Sequence, residues 1–157
     1  MSDLSWIAIA LMTQEEAEVI AGWEYQPPYD FYDWTADEDD LTELLDPVRR
    51  GDRYFSARDD DGQLVGHFRF SDQDGVVAVG LGLRPDLTGR GLGLSFLEDG
   101  LTWATEQYAP HRFRLSVAEF NSRAIKVYVK AGFVRTRSFE HETNGGIFSF
   151  IEMERPS

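Results

Sequence analysis

Gly89, Gly91 and Gly93 alternate through a short stretch between a strand-like run, Val76–Leu83, and an amphipathic segment that runs to about Gln107. A strand, a glycine-rich turn and a helix start form a ready anion site. The first N–H groups of a helix lack intrahelical partners, and the helix dipole adds partial positive charge there. Glycine removes the Cβ atoms that would keep a phosphate from those groups, and Arg90 adds a mobile full charge. Alone, Gly-x-Gly-x-Gly also fits a tight, closely packed turn, so its meaning depends on the surrounding elements.

A second stretch with chemical potential is EYQPPYDFYDW, residues 24–34. Its prolines prevent a regular helix or a central strand, and it is dense in aromatics for a loop. It reads as a lid over a core. The alternative is functional: its aromatics and acids would suit the wall of a pocket for a cationic or amine-bearing ligand. His67, His111 and His141 are scattered singly without ligand spacing, so no metal site is read. The chain has no cysteine, which excludes disulfides, thiolate metal sites and a cysteine nucleophile. Without a Gly-Lys-Ser/Thr there is no P-loop.

The elements that must position these groups follow from periodicity. Residues 5–11 read as a first strand. Thr13 with Glu16 makes a capping box opening a helix over residues 14–23. A second helix spans residues 37–50, with acids in its first turn, arginines in its last, and Leu41, Leu44, Leu45 and Val48 as its apolar stripe. Tyr54–Arg58 and residues 64–71 are strands joined by a turn at residues 59–62, and a turn at residues 72–75 leads into Val76–Leu83. That last strand is apolar on both faces, as a central strand should be. Its Gly80 and Gly82 imply a bulge or the close approach of a ligand's backbone. Residues 112–117 form a strand parallel to Val76–Leu83, because a helix joins them. A helix over residues 121–131 and a hairpin of residues 133–141 and 146–154 complete the chain.

The whole sequence sets bounds on partners. At 157 residues one domain, residues 1–157, is expected. The net charge of −13 disfavours nucleic acid. It suits a cationic small substrate, and solubility explains it equally well. The first twelve residues carry a short apolar run without a basic segment, too short to span a membrane and unlike a secretory signal, so a cytoplasmic protein without membrane association is expected.

Two separated motifs resemble the GNAT superfamily of N-acetyltransferases. LRPDLTGRGLGLSFL is similar to its pyrophosphate loop, Arg/Gln-x-x-Gly-x-Gly/Ala, with Gly91 and Gly93 in place and Thr88 where Arg or Gln is usual. NSRAIKVYVKAGFV matches its Asn-x-x-Ala-x-x-x-Tyr-x-x-x-Gly-Phe signature at Asn121, Ala124, Tyr128, Gly132 and Phe133. The order of elements agrees as well. The resemblance implies an α/β (α+β) fold, with a mixed, mostly antiparallel, seven-stranded sheet flanked by helices.

It also implies acetyl-CoA as cofactor and transfer of its acetyl group to a primary amine in a ternary complex. Gly89, Arg90, Gly91, Leu92, Gly93 and Leu94, beginning beside Thr88, would hold the pyrophosphate. Leu81, Gly82 and Leu83 would pair with the pantetheine amides, as one more strand on an opened edge. Asn121 and Ala124 would lie along the pantetheine arm, and Tyr128 would be general acid toward the leaving thiolate. Ribosomal-protein N-terminal acetylases carry a glutamate where this chain has Ser116, so Glu119, the nearest carboxylate in sequence, is the candidate base. Glu24, Tyr29, Tyr32 and Asp33 would line the acceptor side, for a small amine or a peptide N-terminus. Homodimers are common in the superfamily, and nothing in the sequence decides that point. Two other readings stand beside this one. They are a dinucleotide-binding oxidoreductase, with Glu119 at the ribose, and a non-catalytic acyl-CoA-binding module.

Overall fold

The computed structural model describes residues 6–157. The chain runs β1 (Ala8–Leu11), α1 (Gln14–Ala21), α2 (Glu38–Leu45), α3 (Pro47–Arg50), β2 (Tyr54–Arg58), β3 (Leu64–Gln73) and β4 (Val76–Leu83). It continues through α4 (Gly93–Tyr108), β5 (Arg112–Ala118), α5 (Ser122–Lys130), β6 (Val134–Thr143) and β7 (Gly146–Pro156). The strands form one seven-stranded sheet in the order β1-β2-β3-β4-β5-β7-β6. Among the described residues, only the β4–β5 pair is parallel. Part of the first expected strand, residue 5, lies outside the described residues.

The capping box forms as the sequence dictates. The Thr13 hydroxyl accepts from the Glu16 N–H at 3.1 Å, and the Glu16 carboxylate accepts from the Thr13 N–H at 2.9 Å. The expected single helix over residues 37–50 is instead two. The residue before a proline is pushed out of the helical region, and Asp46, before Pro47, has ψ 112°. Its carboxylate then caps α3 by accepting from the Val48 N–H. The break turns Val48 away from the apolar stripe, leaving it 87% exposed.

Alternation divides the sheet into two packed faces. On one, Phe68 of β3 stacks on Phe96 of α4 at 4.5 Å and on Phe70 at 5.4 Å between ring centroids. Burying one such side chain contributes roughly 1.5–3 kcal/mol, so this stack fixes α4 and with it the start of the helix after the glycine loop. On the other face α1 and α2 bury Ala17, Ile20 and Leu44 against Met12 and Tyr54.

The parallel pair is short. Val76, Val77 and Ala78 face Arg112, Phe113 and Arg114, and no pairing continues beyond them. From Leu115 to Ala118, β5 stays paired with β7, while β4 keeps a regular register with β3 as far as Leu83. The two strands therefore splay, and the edge of β4 from Val79 to Leu83 has no strand partner on the β5 side.

Candidate active site

The splay opens into a cleft of about 690 Å³. Leu81, Gly82 and Leu83 line it from β4; Thr88, Gly89, Gly91, Gly93 and Leu94 from the glycine loop and the start of α4; and Asn121, Ala124 and Tyr128 from α5. Gly89 and Gly91 have φ of +72° and +78°, a backbone region that L side chains rarely adopt. Nothing lies within 4 Å of where a Gly91 Cβ would sit, so the loop offers bare backbone to the cleft.

The helix behind that loop is unusual among its neighbours. α1, α2, α3 and α5 each begin with a side chain accepting from a backbone N–H, those of Thr13, Asp37, Asp46 and Asn121. The N-terminus of α4 has no side-chain cap. Its first N–H groups are orphan donors at the mouth of the cleft, next to the open edge of β4, whose amides and carbonyls also lack a strand partner. A ligand with phosphates at one end and amides along its arm satisfies both sets.

Charge at this end comes from a residue outside the expected set. Arg123 lines the cleft. Its guanidinium lies 3.8 Å from the centroid of the Tyr29 ring, and one of its nitrogens is 3.5 Å from the Cβ position of Gly89. Thr88 does not replace the missing Arg or Gln, because its hydroxyl donates to the Pro85 carbonyl at 2.7 Å. Arg90 and Leu92 are not among the lining residues. Both lysines of the chain, Lys126 and Lys130, lie on α5, and Lys130 lines the cleft.

One wall of the cleft is aromatic. Tyr25, Tyr29, Tyr32 and Trp34 line it, together with His67 and Ser116, and Tyr29 reaches the glycine-loop end, where Arg123 stacks on it. The loop that carries them is tied down at several points. The Tyr25 hydroxyl donates to the Leu83 carbonyl at 2.7 Å, and the Tyr32 hydroxyl accepts from the Ala118 N–H at 3.2 Å. The Asn144 side chain donates to the Phe31 carbonyl. Asp37 accepts from Thr143 and from the Asn144 N–H, and these bonds hold its carboxyl below the usual range.

Three expected acids are not where the sequence reading put them. The Asp33 carboxylate accepts from the Tyr25 N–H at 2.8 Å and does not line the cleft, so it shapes the loop. Glu24 borders a separate, smaller pocket beside Pro85, Asp86 and Arg123. Glu119 is exposed beyond the end of β5, where its N–H donates to the Ser149 carbonyl. A solvated carboxylate at a strand end has no force drawing it into an apolar cleft. Among the described residues, the lining contains no Asp or Glu.

On α5, the Asn121 oxygen accepts from the Ala124 N–H at 3.1 Å, so it caps the helix while lining the cleft. Burial raises the pKa of Tyr128, and nearby Tyr32 acts in the same direction, so its hydroxyl stays protonated at neutral pH. Burial lowers that of His67 to about 4, leaving a neutral imidazole. Tyr25, Arg123 and His67 were not singled out by the sequence reading. The one legible sign was the glycine pair of β4, whose member Gly82 lies opposite His67 in register.

A sheet splayed at its parallel pair, an uncapped helix start behind a bare glycine loop and a tyrosine within the wedge define an acyl-CoA transferase fold, not a doubly wound dinucleotide fold. The acetyltransferase (GNAT) family model matches residues 10–133, and the chain belongs to that family, whose acetyl donor is acetyl-CoA. No curated protein matches it in sequence. Among solved structures, it is similar to the spermidine N-acetyltransferase of Vibrio cholerae in complex with CoA and spermine. That pair has a TM-score of 0.77 and 19% identity, covering 98% of this chain and 96% of the other. It is also similar to ribosomal-protein-S5-alanine acetyltransferase of Vibrio fischeri, with TM-score 0.66, 18% identity and coverage of 98% and 94%. A GNAT-family acetyltransferase of Bacillus anthracis gives TM-score 0.73, 16% identity and coverage of 96% and 94%. At these identities the likeness is one of fold. Among the described residues, no helix is long and apolar enough to cross a membrane.

Proposed function

We propose that this acetyltransferase moves an acetyl group from acetyl-CoA directly to a primary amine, with both substrates bound in the cleft. The observation that carries this is the open edge of β4 beside the uncapped start of α4. Bound there, acetyl-CoA supplies an acetyl thioester activated toward an amine. The chain's own groups do the rest. The N–H groups of Gly89, Gly91, Gly93 and Leu94, with Arg123 beside them, hold the phosphates. The edge from Leu81 to Leu83 pairs with the amides of the arm. Tyr128, kept protonated by burial, donates a proton to the departing sulfur.

The acceptor end supports an amine with an apolar or aromatic body, either a small molecule or a peptide N-terminus. Away from Arg123 its wall is Tyr32 and Trp34, without a carboxylate to hold a polycation. The test is release of CoA thiol from acetyl-CoA with three acceptors: phenethylamine, an alanine-terminated peptide and spermidine. Phenethylamine or the peptide should give the higher kcat/KM. Tight CoA binding with no turnover of any acceptor would make the chain a non-catalytic acyl-CoA-binding module.

A further inference from the structure

We propose that His67 is the proton acceptor of the transfer, its Nε2 taking the proton of the attacking amine. This rests on the function proposed above and adds the group that the sequence did not supply. His67 lies on β3 opposite Gly82 of β4, on the face shared with Trp23 and Trp34, whose ring centroids are 6.2 and 5.6 Å from its own. Nε2 is the nearest atom to the missing side chain of Gly82, 2.5 Å from where its Cβ would be. The imidazole thus fills the place of a residue-82 side chain, over the strand edge that lines the cleft, and itself lines the cleft. Any residue larger than glycine at 82 would force the ring to shift.

His67 is only 8% exposed, and its Nδ1 is sealed from solvent without a hydrogen-bond partner. The ring sits in an apolar wall, and its nitrogens have no protein partner among the described residues, so Nε2 is not committed to another group. The other candidates are committed or unsuited. Tyr25 donates to Leu83, Tyr32 accepts from Ala118, and Lys130 and Arg123 are cations. Glu119 lies outside the cleft and Ser116 is too weak a base.

Other titratable groups on this side of the sheet leave the imidazole neutral. Glu16 of α1 pairs with Arg58, and Glu43 of α2 pairs with Arg69 and accepts from the Tyr54 hydroxyl. Asp40 of α2 and Tyr25 have pKa values raised by burial, so burial alone sets the state of His67. The step balances as follows. The free amine nitrogen bonds to the thioester carbonyl carbon as the C–S bond breaks. The amine proton passes to Nε2, and the sulfur takes the Tyr128 hydroxyl proton. The imidazolium then returns a proton through water to the Tyr128 oxygen, restoring both side chains and leaving amide and thiol.

The test combines ¹⁵N NMR of the histidine rings in the CoA complex with kinetics of His67→Gln and His67→Phe on the three acceptors above. This role requires, at pH 7, the tautomer with its proton on Nδ1 and a lone pair on Nε2, which leaves a buried Nδ1–H without a protein partner. Both variants should bind CoA as the wild type does, with kcat about 10²–10⁴-fold lower. Their residual kcat should rise with pH, as hydroxide replaces the missing base, while the KM for acetyl-CoA changes less than twofold. A proton on Nε2, or a folded His67→Phe protein with kcat within threefold of wild type, overturns the proposal. If the wild type acetylates none of the three amines, the proposed function fails separately. The tautomer then decides alone: a lone pair on Nε2 supports the assignment, and a proton there sinks it.

Discussion

Arg123→Gln removes one full positive charge from the edge of the glycine loop while keeping a polar side chain of similar reach. The size of the effect follows from position. One guanidinium nitrogen is 3.5 Å from the Gly89 Cβ position, so a phosphate against that loop sits about one contact distance from the charge. Two unit charges about 4 Å apart interact by roughly 1 kcal/mol in water and roughly 4 kcal/mol at an effective dielectric of 20. Arg123 is exposed, which puts the value near the lower figure, about 1–2 kcal/mol, or roughly 5- to 30-fold in Kd. The loss matters more because the chain as a whole carries −13, so its long-range field repels a polyanion and local cations must compensate. Calorimetry with CoA, and with pantetheine, which lacks the phosphates, separates the causes. Arg123→Gln should weaken CoA and leave pantetheine unchanged, and the gap should narrow near 1 M salt, where the screening length is about 3 Å. Arg123→Lys should fall between, since it keeps the charge but loses the flat stack on Tyr29. Equal loss of CoA and pantetheine would show that the arginine merely packs the loop, and unchanged CoA affinity would remove it from the site.

Gly91→Val should lower CoA affinity at least tenfold, about 1.4 kcal/mol, with the fold retained. The site has room but a φ of +78°, so the cost is backbone strain plus a side chain where phosphate must approach; unchanged calorimetric binding would argue against the loop. Tyr128→Phe deletes one hydroxyl and should reduce kcat by about 10²–10⁴-fold with CoA affinity unchanged; near-normal turnover would mean that the thiolate leaves without this proton. His67 gives a pH dependence of stability. Its folded pKa, about 4, lies below the ordinary 6.5, so the unfolded chain binds the extra proton. Its contribution is full above about pH 6.5 and is lost as pH falls toward 4. Between pH 7.5 and 4.5 the wild type should lose roughly 2–3 kcal/mol more than His67→Phe, measured by urea unfolding. Equal losses would mean that the ring is not buried neutral.

The sequence by itself determined what depends on near neighbours along the chain. The Thr13–Glu16 capping box and the alternation of β3 are local, and they appear as read, while the hairpin turn expected over residues 72–75 tightens to Asp74–Gly75 because β3 runs on to Gln73. So does the glycine loop running into α4, because backbone left bare by glycine is a property of the residues themselves. The helix break at Asp46–Pro47 is local too, because a proline pushes the residue before it out of the helical region. What the sequence could not determine is which side chains from distant elements meet. Tyr25 reaches Leu83 across 58 residues, Tyr32 reaches Ala118 across 86, and Asp37 reaches the turn at Asn144 across 107. The acids of residues 24–34 suggested a cationic site, yet Asp33 is taken up by an N–H of its own loop. An ionised group in a tight turn is stabilised more by a nearby donor than by facing an apolar cleft. His67 has no local signal, because its role rests on the register that lays it against Gly82 and on the two tryptophans that close over it. Burial and register arise only when the sheet is assembled, and with them the site's one buried imidazole.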